Sequence, residues 1–96
     1  MNMQALMKQA QNLQRDMLKV REELDKMEFD AENGMVKVKV NGKKEVLSIN
    51  ISNEFEKEDI ELLEDMILIV LNKAFKEVDK ATESKMSKFG NIPGLF

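Results

Sequence analysis

The chain has no cysteine, histidine, tryptophan or tyrosine, a single proline and four scattered glycines. Each absence closes a class of function. Without histidine or cysteine, the commonest general base, the thiol nucleophile and the usual zinc ligands are missing. Disulfides are excluded, which suits a reducing cytosol. Gly34, Gly42, Gly90 and Gly94 stand apart, so there is no glycine-rich phosphate loop. The longest apolar run, Met66 to Leu71, is six residues, far short of the roughly 20 that span a bilayer. Met1 to Ala10 shows no basic stretch followed by an apolar core, so no signal peptide is expected and the chain reads as soluble and intracellular. Paired carboxylates occur at Glu22/Glu23, Glu58/Asp59 and Glu64/Asp65. Acid–base work would need one of each pair buried and held protonated. A solvated face explains them more simply, with Glu58 to Asp65 also well placed near a helix N-terminus. No cofactor, metal site or catalytic residue is expected, and the chain reads as a non-enzyme.

What is present is regular. Apolar side chains at Met3, Leu6, Ala10, Leu13, Met17, Val20, Leu24 and Met27 recur in alternating steps of three and four. This 3.5-residue period keeps a narrow seam turned toward a partner helix, as in a coiled coil. A first helix over about residues 2–27 therefore docks on another helix, in the same chain or in a second copy. At this spacing Met3, Met17 and Met27 read as seam residues rather than as an adaptable ligand groove.

The period changes near Met27. Phe29 and Ala31 alternate with Glu28, Asp30 and Glu32; Val36, Val38 and Val40 alternate with Lys37 and Lys39; Leu47, Ile49 and Ile51 alternate with Val46, Ser48 and Asn50. Asn33-Gly34 and Asn41-Gly42 separate these runs and are hairpin signals. Strands are expected over about 28–32, 35–40 and 44–51. Ser52 or Asn53 can cap the next element. This is a second helix over about 58–88, with Ile60, Leu63, Ile67, Val70, Ala74, Val78 and Ala81 on its apolar side. From Met66 to Leu71 it is apolar nearly all round, which calls for cover by a sheet and also by a helix or a dimer interface. Gly90 and Asn91 signal its end, Pro93 prevents continuation, and residues 90–96 form an apolar tail.

The expected fold is α+β: a long helix, a three-stranded antiparallel β-meander and a second long helix, in a single domain of residues 1–96. Helices of about 40 to 46 Å outrun a short meander, so part of each projects as an arm. A core built from 96 residues is marginal for a monomer.

Net charge is −3, which by itself disfavours a polyanion partner. Its distribution does not. Residues 1–21 hold Lys8, Arg15, Lys19 and Arg21 against Asp16; residues 73–96 hold Lys73, Lys76, Lys80, Lys85 and Lys88 against Glu77, Asp79 and Glu83. The acidic excess lies between. Lysines late in a helix suit its dipole, but the first helix does the reverse, with Glu22, Glu23, Asp25 and Glu28 near its C-terminal end. Lys8, Arg15 and Lys19 fall at outward heptad positions. If the helices run antiparallel, both basic segments share the arms, a surface suited to a polyanion. No aromatic residues interleave with these cations, which disfavours base stacking on single strands.

The segments MNMQALMKQAQNLQRDM, GMVKVKVNGKKEVLSINI and EDIELLEDMILIVLNKAFKEVDKATESKM, in this order and with Pro-Gly-Leu-Phe at the end, resemble the YbaB/EbfC family of bacterial nucleoid-associated proteins over nearly the whole length. The resemblance implies a tweezers-like homodimer with a central β region and projecting helical arms. It implies double-stranded DNA as partner, a cytoplasmic, nucleoid-associated location, effects on DNA compaction and gene expression, and no enzymatic activity. DNA contacts in the family are attributed to the arms, in agreement with the charge split. No strict residue signature carries over, so the phosphate-contact candidates come from charge: Lys8, Arg15, Lys19, Arg21, Lys73, Lys76, Lys80, Lys85 and Lys88. Lys37, Lys39, Lys43 and Lys44 rank below them, because a lysine-lined strand face is ordinarily just solvated.

An alternative reading is a dimeric helical clamp or chaperone-like protein-interaction module, motivated by Met3, Leu6 and Met7 near an arm end and by Leu95-Phe96. No membrane or small-molecule partner is expected on either reading.

Overall fold

Asn2 opens the first helix by accepting a hydrogen bond from the Gln4 N–H at 3.0 Å. The computed structural model describes residues 2–52, 54 and 56–90. The order is α1 (Met3–Lys26), β1 (Glu28–Asn33), β2 (Val36–Asn41), β3 (Val46–Ile51) and α2 (Ile60–Met86), with single 3-10 turns at Lys57–Asp59 and Ser87–Phe89 flanking α2. This is the helix–meander–helix α+β architecture that the sequence predicts. The proposed cap at Asn53 and the end signals at Asn91 and Pro93, with the tail beyond Gly90, lie outside the described residues. Ser52 closes a local turn, its hydroxyl accepting from the Glu54 N–H, and the residue that precedes α2 is Asp59, whose side chain makes no cap bond.

The sheet has the order β1-β2-β3, antiparallel throughout. Phe29 pairs with Val40, Ala31 with Val38, and Ile49 with Val38 from the other side. These residues share one face, as the period-2 pattern requires. The first hairpin turns on Gly34 and Met35, between the paired Asn33 and Val36. Only Gly34 has positive φ, at 61°, the pattern of a type II′ turn rather than of an Asn-Gly pair with two left-handed residues. The second hairpin is wider than Asn41-Gly42 suggested. Asn41 Oδ1 accepts from both Lys43 N and Glu45 N, and the left-handed residue is Lys44, φ 63°.

Two small cores result. In the first, Val70, Ala74 and Val78 of α2 pack on Ala31, Val36, Val38 and Val40, all buried. In the second, Met17 and Leu24 of α1 meet Met86 of α2, with Val20, Met27, Ala81 and Phe89 around them. The α1 seam therefore does dock on a helix of its own chain, but only along its C-terminal half. Met3, Leu6 and Leu13 are open to solvent. The expectation of cover on several sides of residues 66–71 is also unmet within the chain, since Leu68 and Ile69 are more than half exposed. The antiparallel overlap of α1 with α2 begins only near Met17, and the remainder of α2 lies on β1 and β2.

Gly42 joins the two cores. Its N–H donates to Met27 O at 3.0 Å, and a Cβ at this position would stand 1.7 Å from Leu24 O. The β2–β3 turn thus seats directly against the end of α1, and the glycine is required by close approach rather than by its φ. The chain is a rod of 70 × 20 × 15 Å. Its radius of gyration is 19.2 Å, against about 12.5 Å for a compact domain of this length.

Gly42→Ala forces the turn away from α1 and is expected to destabilise the fold by about 2 to 3 kcal/mol, a typical overpacking cost. Urea denaturation followed by circular dichroism measures it; a change below about 0.5 kcal/mol contradicts the close-approach argument.

Candidate nucleic-acid interface

Among the described residues, α1 stands clear of the other elements up to about Asp16, because its seam meets α2 only from Met17 onward. Lys8 and Arg15 lie on this free half and Lys19 just below it, all three exposed. Helical rise spreads Lys8, Arg15 and Lys19 over about 16 Å of one arm. Asp16 is the acid of this segment, so the basic excess is modest at the tip and grows at the root with Lys19 and Arg21.

Arg21 has a different setting. Its Nε lies 3.1 Å from Asp25 Oδ1, and its Nη2 donates to Gly42 O at 3.4 Å. The Asp25 contact is electrostatic, without the alignment of a hydrogen bond. Arg21 is half-buried, so its guanidinium serves the α1–turn junction before any ligand.

The α2 lysines divide in two. Lys73 and Lys76 are exposed on the part of α2 that covers the sheet. Lys80 and Lys85 lie on the part that overlaps α1, and Lys88 in the 3-10 turn that follows it. Lys80 pairs with Glu77 at 3.6 Å, and Lys88 sits 5.1 Å from the Phe89 ring. The basic segments are therefore not gathered on one arm. Lys73 and Lys76 back the sheet, while Lys8 and Arg15 project alone.

The sheet lysines also separate. Lys37 and Lys39 stand opposite Glu32 and Asp30 of β1, a ladder of opposed charges on the solvent face. Lys43 and Lys44 instead reach the helix junction. With Arg21, Asp79 and Thr82 they line a cleft of about 230 Å³, where Lys44 Nζ meets Asp79 at 2.7 Å. Sequence reasoning ranked these two with the strand lysines. Nothing local signals their proximity to Arg21, which depends on the Gly42 contact. Among the described residues, no cluster of three or more acidic, His or Cys side chains is placed to hold a metal, and no helix is long and apolar enough to cross a membrane.

Helix, meander and helix, with the first helix half free, define an α+β architecture. The chain belongs to the YbaB/EbfC DNA-binding family, which residues 1–92 match. It is similar to a nucleoid-associated protein of Clostridium novyi, 47% identical over all of this chain and 90% of that one. A nucleoid-associated protein of Pelotomaculum thermopropionicum is 45% identical, covering 99% of this chain and 96% of the relative. Among solved structures, an uncharacterized protein of Helicobacter pylori superimposes with a TM-score of 0.70 at 21% identity, covering 88% of this chain and 91% of the other, and so shares the fold.

Arg21→Ala leaves half-buried Asp25 without its cation and is expected to cost about 1 kcal/mol. Lys8→Ala is expected to fall within about 0.5 kcal/mol of the parent. Thermal or urea melts of the two variants check the contrast, and equal stabilities contradict a structural role for Arg21.

Proposed function

We propose that the protein is a homodimer that binds double-stranded DNA in the nucleoid through phosphate contacts from its helical arms, and so influences DNA compaction and gene expression. The observation that carries this reading is the free half of α1, which holds Lys8 and Arg15 away from the acidic base, with Lys19 at its root. Lys73, Lys76, Lys80 and Lys85 on α2, and Lys88 in the turn after it, extend the candidate contact surface, with Arg21 a contributor already engaged by Asp25 and Gly42. Contacts of this kind position the protein on the duplex without reading bases. No residue set supports catalysis on this reading, and the location is cytoplasmic.

Dimerisation is supported by what one chain leaves uncovered. All six residues of the edge strand β3 are exposed, Val46, Leu47, Ile49 and Ile51 among them. Leu62, Leu68 and Ile69 add an open face on α2. An apolar edge strand left open invites association. The total surface of 7425 Å² compares with about 5,650 Å² for a compact protein of this mass. The excess is of the order that each subunit of an obligate dimer buries. A clamp on a protein partner is the second reading, favoured by the exposure of Met3, Leu6 and Met7. A complex that survives nuclease and high salt would support it.

With about 4 to 6 phosphates neutralised, log K for duplex DNA is expected to fall with log salt at a slope of roughly −4 to −5. Charge reversal at Arg15 and Lys19 lowers affinity at least tenfold at low salt, about 1.4 kcal/mol, and reversal at Lys37 and Lys39 changes it much less. Fluorescence anisotropy at several salt concentrations reads both; no binding at low salt sinks the proposal. The protein is expected at twice the 11.1 kDa chain mass by light scattering. Leu68→Asp with Ile69→Asp, both exposed in the single chain, is expected to shift it to the chain mass with helicity retained.

A further inference from the structure

α1 begins with an ordered turn: Asn2 accepts from the Gln4 N–H, and Met3 is the first helical residue. The arm tip is therefore regular helix, and it carries two thioethers. Met3 is 75% exposed and Met7 59%. Four residues apart, they are neighbours on one face, with Cβ atoms about 5 to 6 Å from each other. The core methionines are in the opposite state. Met17 is 9% exposed and Met86 2%, both within the second core. Met27 and Met66 are half-buried against the second and first cores, and Met35 is half-buried in the first hairpin turn.

The chain has no cysteine, tryptophan, tyrosine or histidine, so no more reactive side chain competes with methionine for a mild oxidant. A peroxide reacts when a thioether sulfur reaches one of its oxygens, so access decides which methionine is taken. An S–O bond forms and the O–O bond breaks. The sulfur loses two electrons, and with hydrogen peroxide the other oxygen takes up the freed proton and leaves as water. The product is a polar, hydrogen-bond-accepting sulfoxide in place of an apolar group. At Met17 or Met86 that oxygen would have no partner in the core. At Met3 and Met7 water solvates it. The faces proposed above for dimerisation do not cover the pair. Helical rise puts Met3 about 21 Å beyond Met17, and Ile69 about 25 Å from Met86 in the opposite direction.

We propose that Met3 and Met7 form a reversible oxidation site at the tip of α1. Hydrogen peroxide converts them to sulfoxides before it reaches the core methionines. The tip turns from apolar to polar while both cores, and the charges of Lys8 and Arg15, stay as they are. This inference does not rest on the DNA-binding reading.

The test treats the full-length protein with limiting hydrogen peroxide and follows oxygen uptake at each methionine by tandem mass spectrometry of proteolytic peptides. Met3 and Met7 are expected to react at least tenfold faster than Met17 and Met86, whose access requires opening of the core. When Met3 and Met7 are converted, circular dichroism and the melting temperature are expected to match those of the untreated protein. The two methionine sulfoxide reductases, one for each sulfoxide epimer, are expected to restore the original mass together. Comparable rates at tip and core overturn the proposal. Loss of helicity or stability in step with oxidation of Met3 and Met7 overturns it, as do tip sulfoxides that the reductases leave in place. Protection of Met3 and Met7 in the intact protein overturns it too and assigns the face to a buried interface. No step involves DNA, so a protein that fails to bind DNA can still pass.

Discussion

The molecule depends on a junction where Leu24, at the end of α1, Gly42, in the β2–β3 turn, and Val78, Asp79 and Thr82 of α2 come together. Leu24 and Met86 are buried in one small core, and Gly42 sits so close to the Leu24 carbonyl that no side chain fits. The other core, under Val36, Val38 and Val40, lies on the far side of the turn. Neither is large. Full burial of a side chain such as valine or leucine is worth about 1.5 to 3 kcal/mol, and the junction lets the two sets of contacts act together. It also sets the direction of α1. Among the described residues, α1 is anchored by its C-terminal half and projects from the body as a lever.

That lever separates charge. The body holds Glu54, Glu56, Glu58, Asp59, Glu61, Glu64 and Asp65 around the start of α2, while Lys8, Arg15 and Lys19 lie on or near the projecting half of α1. At physiological salt, charges more than about 8 Å apart are largely screened, so the acidic body does not cancel the field at the arm. The potential at the arm therefore reflects local charge rather than the net −3. Arg21 marks the transition: it is cationic, but its contacts with Asp25 and Gly42 commit it to the junction.

The same extension leaves apolar surface open. α2 covers β1 and β2, and β3 remains an edge strand exposed at every residue. A chain this elongated cannot fold back to cover it, because the junction holds α1 away from the sheet. Charge presentation and the exposed apolar edge are thus consequences of one geometry.

Much of this was legible in the chain. The change of period at Met27, the valine–lysine alternation of β2 and the long apolar pattern of α2 specify element type and order, because hydrophobic periodicity is local. Family membership followed from the order and spacing of whole segments. The outward placement of Lys8, Arg15 and Lys19 also came from the heptad alone. Three features did not. The seam from Met3 to Met27 reads as uniform, yet only its second half meets α2. Lys43 and Lys44 read as strand-end lysines, yet they line a cleft with Arg21. Lys73 and Lys76 read as arm residues, yet they back the sheet. Each depends on the offset between elements about 20 to 70 positions apart in the chain. That offset is decided by the close approach of Gly42 to Leu24, a steric fit that exists only once the turn and both helices are in place.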